Sequence, residues 1–171
     1  EAFTYALVSS NCEKLKYFVG DTMVAEAEPD RKTYPNLKYA PFNPNIRSSI
    51  WGSVKWADMR IEGYIGGKKV IERKLSGKGV DRDFAIKPDD TELRADGIDM
   101  TRVVFRVTDE YGNDRPFATG AIQFTIENGE MIGENPFALV GGVGAIWVRS
   151  TEKAGTIRLT AKHTRFGTKA V

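Results

Sequence analysis

An alternation of apolar and polar residues with a period of two runs through most of the chain, and this period is typical of half-buried β-strands. In the first half it marks residues 14–19, 59–65 and 68–73. Gly20-Asp21 follows the first of these runs, and Gly66-Gly67 joins the other two. Because glycine readily adopts the positive φ angles that tight turns require, both sites predict β-hairpins.

The same alternation continues, more regularly, through the second half of the chain. It predicts strands at residues 103–108, 122–127, 145–149 and 157–162. Trp147, flanked by apolar residues in the third of these strands, is expected to fill either the core or a domain interface. Turn-forming residues recur about every 8 to 12 positions, which is the spacing of β-sandwiches and barrels. Helical patterns are nearly absent.

A glycine-rich stretch at residues 76–81 divides the chain into two parts of sandwich size. We therefore predict an all-β fold of two immunoglobulin-like antiparallel β-sandwich domains in tandem, at residues 1–80 and 81–171. The Cys…Trp…Cys spacing of antibody domains is absent, so a true antibody domain is not expected.

One segment, residues 29–50, interrupts the strand pattern. It contains four prolines, which lack the N–H that strand pairing uses, so we predict a long loop. Loops of this length in a compact domain are often functional. Aromatic side chains between the prolines indicate an exposed surface that packs against another domain, or a platform where sugar rings stack with help from Asn45 or Arg47. The interface or sugar-stacking candidates are Tyr34, Tyr39, Phe42, Trp51 and Trp56.

Composition narrows the class of protein further. Of the 171 residues, 41% are hydrophobic and 28% are charged, which is a globular composition. The net charge is +2, divided as +4 in residues 1–80 and −2 in residues 81–171, so no nucleic acid partner is expected. No apolar run reaches the roughly 20 residues of a membrane-spanning helix, and no membrane partner is expected. The single cysteine, Cys12, cannot form a disulfide within the chain.

Residue types that carry catalysis or bind metals are sparse. His163 is the single histidine, and its polar neighbours predict an exposed position in a loop or at a strand end. Gly141-Gly142-Val143-Gly144 leads into a strand and lacks the Lys-Ser/Thr of a phosphate loop. Acidic pairs such as Asp109-Glu110 fit no calcium loop and are expected to be solvated turn residues. Nothing in the sequence brings the carboxylates of Asp58 and Glu62 together. We therefore predict no catalytic residue, no metal site and no cofactor.

Two stretches of the second half resemble a known family. Residues 93–99 (LRADGID) lead into residues 101–113 (TRVVFRVTDEYGN), and this run is similar to the opening of an immunoglobulin-like C-terminal domain of β-galactosidases in glycoside hydrolase family 2. Residues 133–150 (GENPFALVGGVGAIWVRS) strengthen the match, and residues 155–161 are similar but less specific. Within the second stretch, Glu134-Asn135-Pro136-Phe137 is either a functional loop or a well-formed turn.

The first half resembles the domain that follows the catalytic barrel in the same family. Ser10-Asn11-Cys12-Glu13 and residues 63–70 (GYIGGKKV) are similar to motifs of two hairpins of that domain. Gly20-Asp21 departs from the family pattern, because it stands where Asn-Gly is usual.

The resemblance implies an accessory role. In that family the two catalytic glutamates belong to a (β/α)₈ barrel, and this chain lacks the alternating strand–helix pattern that builds one. The chain opens at Glu1, without a methionine or a visible signal peptide, and its first residues already read as a strand. We therefore expect a piece of a longer hydrolase, whose compartment stays open.

Three hypotheses about function are open at this point. The first is a structural module that packs against the catalytic barrel of the parent enzyme or against a second subunit. The second is a carbohydrate-binding module that stacks sugars on the aromatic residues of the first domain. The third is a stand-alone enzyme, which needs a catalytic constellation that the sequence does not show.

Overall fold

The computed structural model describes residues 7–44, 46 and 55–171, and every regular element within them is a β-strand. The all-β prediction is therefore confirmed. The chain divides into two compact units, Glu1–Gly79 and Val80–Val171, called here the first and second units. Along the described residues, no helix has the length and apolar character needed to cross a membrane.

The described part of the first unit forms one antiparallel sheet of four strands. The strands are β1 Lys14–Val19, β2 Thr22–Ala27, β3 Met59–Ile65 and β4 Lys68–Leu75, in the order β2-β1-β3-β4. Gly20 connects β1 to β2 with a φ of 57°, and Gly66 and Gly67 connect β3 to β4 with φ angles of 55° and 74°. Both predicted hairpins are present.

One face of this sheet forms the core of the first unit. Leu15, Tyr17 and Val19 of β1 lie on it, and each is at most 2% exposed. Burial raises the pKa of the Tyr17 phenol to about 12, because the charged phenolate is poorly solvated inside the protein. The remaining buried residues of this core are Cys12, Ala27, Phe42, Ile46 and Met59.

The opposite face of the sheet carries charged side chains that are paired across the strands. Lys16 Nζ lies 5.0 Å from the centre of the Tyr64 ring. The guanidinium carbon of Arg60 lies 4.3 Å from the centre of the Phe18 ring. Glu62 accepts a 2.6 Å hydrogen bond from the Tyr64 hydroxyl, and Arg60 Nε lies 3.3 Å from its carboxylate. The Tyr64 hydrogen bond is the main reason that the pKa of Glu62 lies below its usual range.

The second unit is a sandwich of two antiparallel sheets, each with four strands. Its strands are β5 Asp83–Pro88, β6 Met100–Thr108, β7 Thr119–Glu127, β8 Glu130–Ile132, β9 Phe137–Val140, β10 Val143–Arg149, β11 Arg158–His163 and β12 Gly167–Ala170. One sheet has the order β5-β6-β10-β8, and the other has the order β12-β11-β7-β9.

The core between these two sheets is built around the fully buried ring of Phe105. The ring centres of Phe84, Phe124 and Phe137 lie 6.5, 5.2 and 4.9 Å from that of Phe105. Alternate positions of the neighbouring strands complete this core, because side chains along a strand point to opposite faces. They include Val103, Val107, Ile122, Leu139, Ile146, Val148, Leu159 and Ala161.

Trp147 lies outside this core. Its neighbours in β10, Ile146 and Val148, are 1% and 4% exposed and point inward. The alternation of the strand therefore turns the Trp147 side chain to the outer face, where it is 45% exposed. The prediction that Trp147 fills the core of its own sandwich is therefore wrong.

The turn after β6 is held by one buried carboxylate. Asp109 Oδ1 accepts hydrogen bonds from the backbone N–H groups of Tyr111 and Asn113 at 2.8 and 2.9 Å. Its Oδ2 accepts a third, from Nδ2 of Asn113, at 2.9 Å. Asp109 is only 5% exposed, so these donors take the place of water around the charge. The prediction of a turn residue holds for Asp109, but the prediction that it is solvated is wrong.

His163 is also buried, which corrects the prediction of an exposed side chain. It is the last residue of β11 and is 1% exposed. The imidazole lies between the rings of Phe84 and Phe166, with centre distances of 5.2 and 4.9 Å, and its Nδ1 accepts the backbone N–H of Arg165. A Cβ on Gly120 would approach the imidazole to 2.9 Å. The pocket for His163 is thus made by residues distant in sequence.

The burial of His163 predicts a pH-dependent contribution to the stability of the second unit. Burial lowers the pKa of His163 from 6.5, nearby Arg165 lowers it further, and Asp81 raises it. Because the unfolded chain then binds the proton more readily, this contribution is fully present above about pH 6.5 and is lost as pH falls through the lowered pKa. An NMR titration of the imidazole resonance would measure this pKa without ambiguity, since the sequence has one histidine.

The matched control for this titration is His163→Asn. The side-chain oxygen of asparagine can accept the Arg165 N–H as Nδ1 does, but it does not titrate in this range. We expect the variant to lose most of the change in unfolding free energy between about pH 7 and pH 5. A His163 pKa at or above 6.5 in the folded protein would contradict this prediction.

Candidate functional site

The described part of the proline-rich segment, residues 29–44 and 46, is folded by turns rather than extended. Asp30 Oδ1 accepts the N–H of Thr33 at 3.0 Å, and the carbonyl of Asp30 accepts the N–H of Tyr34 at 3.0 Å. The N–H of Asp30 donates to the Pro41 carbonyl at 2.8 Å, which draws the two ends of the loop together. The Thr33 N–H also holds the pKa of Asp30 below its usual range.

Phe42 is the residue of this segment that enters the core. Its backbone N–H and carbonyl both pair with Val8, at 2.9 and 3.0 Å, and it also forms a bridge to Pro29. The ring is fully buried against the sheet of the first unit. Phe42 therefore exposes no face to a sugar or a partner, and the prediction that it is an interface or sugar-stacking residue is corrected to core packing.

Tyr34, Leu37 and Tyr39 lie in the same turn-rich part of the segment and are accessible to different degrees. Tyr34 is half-buried, whereas Leu37 and Tyr39 are 49% and 56% exposed. Lys38 Nζ lies 5.2 Å from the centre of the Tyr39 ring, so one cation already contacts that ring. The accessible apolar surface of the described segment therefore centres on Leu37 and Tyr39.

Trp56 is held in a different place, beside the end of β4. Its indole Nε1–H donates to the carbonyl of Gly77 at 2.6 Å, and the N–H of Gly77 donates to Asp58 Oδ1 at 2.9 Å. Glycine is needed at position 77, because a Cβ there would lie 2.6 Å from the Ala57 carbonyl oxygen. These contacts fix the indole while 55% of the residue stays exposed.

Three of the residues proposed from the sequence cannot be placed. Trp51 and the two polar residues expected to assist sugar binding, Asn45 and Arg47, lie outside the described residues. The described candidates thus reduce to Tyr39, the half-buried Tyr34 earlier in the same segment, and the separately anchored Trp56.

The second unit has exposed apolar residues that sequence reasoning missed. Phe117 is 92% exposed and Val140 is 79% exposed. Phe117 lies in the turn before β7, and Val140 ends β9, where it pairs with Thr119 of β7. A signal for Phe117 was present, because an aromatic residue directly after Pro116 in a polar turn has no strand alternation that would bury it.

The carboxylates considered from the sequence are engaged in structural contacts. Asp58 accepts the N–H of Gly77, and Glu62 binds Tyr64 and Arg60 as described above. Across the part of the chain that the structure describes, no group of three or more His, Cys, Asp and Glu side chains is arranged to hold a metal ion.

The Glu134-Asn135-Pro136-Phe137 stretch is fastened to the neighbouring strand. Asn135 Oδ1 accepts the N–H of Phe124, and Asn135 Nδ2 donates to the Phe124 carbonyl, both at 2.9 Å. The amide side chain therefore pairs with β7 in the way that a strand backbone would. Of the two readings of this stretch, its own contacts match the well-formed turn.

Comparison with known proteins places the second unit in a described family. The model of glycoside hydrolase family 2 C-terminal domain 5 matches residues 84–171. A β-galactosidase of Thermoanaerobacter pseudethanolicus is 37% identical over 164 residues, which is 91% of this chain and 22% of the relative. A β-galactosidase of Rhizobium radiobacter is 31% identical over 122 residues, which is 71% of this chain and 88% of the relative.

A solved structure shows the same fold. A glycosyl hydrolase family 2 member from Bacteroides cellulosilyticus superposes on 95% of this chain with a TM-score of 0.63 and 20% identity. The chain spans only part of both proteins. It covers 23% of the Bacteroides structure and 22% of the Thermoanaerobacter relative.

Proposed function

Because the chain belongs to glycoside hydrolase family 2 and contains a β-galactosidase-like C-terminal domain, we propose that it is the non-catalytic accessory region of such a hydrolase. In this role it packs against the catalytic part of the parent enzyme or against a second subunit. Its small share of the Thermoanaerobacter relative, 22%, fits a region attached to a larger catalytic part.

The observation that carries this proposal is the exposed apolar surface of the proline-rich segment. Leu37 and Tyr39 are about half exposed, while the hydrogen bonds of Asp30 hold the turns on which they sit. Exposed apolar surface favours association, because burying it removes it from water. A surface that is already ordered loses less conformational freedom on docking, so more of that gain remains as binding energy.

The contacts of Asp58 and Glu62, the two carboxylates considered from the sequence, support a non-catalytic role. A glycosidase of the usual kind needs two carboxylic groups that face the scissile bond, one of which can accept and release a proton. Glu62 is instead bound to Tyr64 and Arg60, which stabilise its charged form. Asp58 is bound to the backbone of Gly77.

The proposal predicts that the parent enzyme loses stability or assembly when Leu37 and Tyr39 are both replaced by alanine. We expect the melting temperature of the parent to fall, or its subunits to dissociate at a higher protein concentration than those of the unaltered enzyme, because apolar packing at the docking surface is lost. Calorimetry and analytical ultracentrifugation of the parent enzyme would measure the two effects.

The matched control replaces Met23 and Val70 by alanine. These side chains are exposed to a similar degree, 52% and 54%, but lie on strands β2 and β4 and not on the segment. If the Leu37/Tyr39 double variant melts and sediments like this control, the segment is not the docking surface.

A second candidate function, carbohydrate binding, is favoured by the anchored indole of Trp56. A half-exposed ring held by the Gly77 carbonyl is a rigid face on which a sugar could stack. Titrating the 171-residue chain with lactose distinguishes the two candidates, because only a carbohydrate-binding module perturbs the Trp56 indole resonance in the absence of the parent enzyme.

A further inference from the structure

The outer face of the sheet β5-β6-β10-β8 carries a stripe of apolar side chains along β10. Ile146 and Val148 of this strand point into the core, so the alternation turns Val143, Ala145 and Trp147 outward. All three are exposed, Val143 to 39% and Trp147 to 45%. Outward positions of a sandwich strand are usually polar, because they face water. Three successive apolar residues at such positions therefore indicate a surface used for binding.

The neighbouring strands widen this stripe into a patch. Ile132 of β8 lies opposite Trp147 in the strand register and is 39% exposed. On the other side, Val104 of β6 lies opposite Ala145 and is half-buried. We call these five residues the β10 patch: Val104, Ile132, Val143, Ala145 and Trp147. Trp147 is its largest side chain, and tryptophan is enriched among the residues that dominate the binding energy of protein interfaces.

The outer face of the other sheet of this sandwich has a different character. Like β10, β7 is an inner strand of its sheet, and its residues Ile122 and Phe124 point into the core. All five of its outward residues are exposed, and all but Ala121 are polar: Thr119, Gln123, Thr125 and Glu127. The β10 patch is therefore a property of one face and not of the sandwich surface in general.

Three ion pairs border the β10 patch, and each joins an arginine to an acidic residue. They are Arg102–Asp89 with atoms at 2.9 Å, Arg106–Asp114 with atoms at 3.1 Å, and Arg149–Glu130. Because each arginine is matched by a carboxylate, these pairs add no net charge that would attract a nucleic acid or an anionic ligand. An apolar centre inside a polar rim is the usual anatomy of an interface between folded protein surfaces.

The size of this face decides between a second copy of the chain and a partner in the same polypeptide. The sheet is four strands wide, and β10 is seven residues long. At about 4.8 Å per strand and about 3.3 Å per residue, the face covers about 400 Å². A stable complex of two free proteins buries about 800 Å² on each partner, so this face alone is too small to hold a free second copy. A partner on the same polypeptide needs less area, because the linkage gives it a high local concentration.

We propose that the β10 patch docks onto an apolar surface of the catalytic part of the parent hydrolase, carried on the same polypeptide, with Trp147 as the central anchor. The chain covers 22% of the Thermoanaerobacter relative, so most of a protein of that length lies outside it. This inference rests on the proposed accessory role, but it uses none of the residues of the proline-rich segment. It also gives Trp147 the second role expected from the sequence, that of filling a domain interface.

The test is hydroxyl-radical footprinting, read by mass spectrometry, of the 171-residue chain and of the parent enzyme. We expect Trp147 to be oxidised readily in the chain and at least about fivefold more slowly in the parent, because docking excludes water from the centre of an interface. Leu37 and Tyr39 report on the proline-rich segment in the same samples. If they are protected in the parent and Trp147 is not, this inference fails and the proposed function stands. If none of the three is protected, both fail.

Two arginine variants provide a matched pair for the same measurement. Ala145→Arg places a long charged side chain in the β10 patch, and Ala121→Arg places the same side chain on the outer face of the other sheet. Both replace an exposed residue, so neither should unfold the 171-residue chain. In the parent, Ala145→Arg should make Trp147 as reactive as in the isolated variant chain, because an apolar docking surface cannot accommodate an unpaired charge. Ala121→Arg should leave Trp147 protected, and equal reactivity of Trp147 in the two parent variants would contradict the proposal.

The isolated chain tests the other occupants of the patch. If the oxidation of Trp147 slows as the concentration of the chain is raised, a second copy covers the patch and the proposal is overturned. If lactose slows it instead, the patch is a sugar-binding surface and the proposal is equally overturned. We expect the oxidation rate of Trp147 in the isolated chain to change with neither.

Discussion

Replacing Phe42 by alanine is expected to lower the free energy of unfolding of the first unit by about 3 to 5 kcal/mol. The ring is fully buried, and it joins the proline-rich segment to the core of the sheet. Its removal leaves a cavity at a position where the backbone is tied to Val8 by two hydrogen bonds, so the segment cannot easily collapse into the space. Few other single changes in the first unit should cost as much.

The control for Phe42 is Tyr39→Ala, three residues earlier in the same segment. Tyr39 is 56% exposed, so its removal should change the stability of the first unit by no more than about 0.5 kcal/mol. Native-state hydrogen exchange of the amides in β1 and β3 would measure both effects separately from the second unit. Equal exchange rates in the two variants would mean that Phe42 does not hold the segment on the sheet.

Replacing Gly142 by alanine is expected to destabilise the second unit by about 2 to 5 kcal/mol. Gly142 has a φ of 75°, a conformation that costs a residue with a side chain about 1 to 2 kcal/mol. A Cβ at this position would lie 2.0 Å from the carbonyl oxygen of Arg115, so the backbone must also move, at a cost of about 1 to 3 kcal/mol. Moving it strains the 2.8 Å hydrogen bond from the Val107 N–H to the Gly142 carbonyl.

The neighbouring glycine provides a matched control for this prediction. Gly141 has a similar φ of 83°, but the nearest atom to a Cβ there is the Pro116 oxygen at 3.7 Å. Gly141→Ala should therefore show the conformational cost alone, about 1 to 2 kcal/mol. Urea denaturation of both variants, followed by hydrogen exchange in β6 and β10, would measure the difference. If the two alanine variants are equally stable, the close approach to Arg115 is not a constraint.

The strands with a regular alternation, such as β1, were predictable because their evidence is local. Residues 14–19 alternate in sequence, and the buried members Leu15, Tyr17 and Val19 are those on the core face of β1. The Gly66-Gly67 turn was predictable for a similar reason, because positive φ angles favour glycine whatever surrounds the turn.

The environment of individual side chains was less predictable, as Asp109 and His163 show. Both sit among polar residues in the sequence, and both are buried, at 5% and 1% exposure. Asp109 is satisfied by donors two and four residues away, within its own turn. His163 is enclosed by Phe84 and Phe166, and the first of these comes from a strand nearly eighty positions earlier in the chain.

In the candidate site, the loop itself was predictable from the sequence, but the burial of its individual side chains was not. An interruption by four prolines was enough to identify the segment at residues 29–50 as a loop, because proline cannot donate to a strand ladder. Composition did not separate Phe42, which is buried, from Tyr39, which is exposed. Burial in a loop depends on which distant backbone the loop pairs with, and here Val8 pairs with Phe42.

The order of apolar and polar residues was thus sufficient for the all-β class and the hairpins, since these follow from the geometry of neighbouring residues. The buried environment of His163 forms only when Phe84, Gly120 and Phe166 are brought together from separate parts of the chain. Side-chain packing between distant segments creates such sites, and no local pattern in the sequence records it.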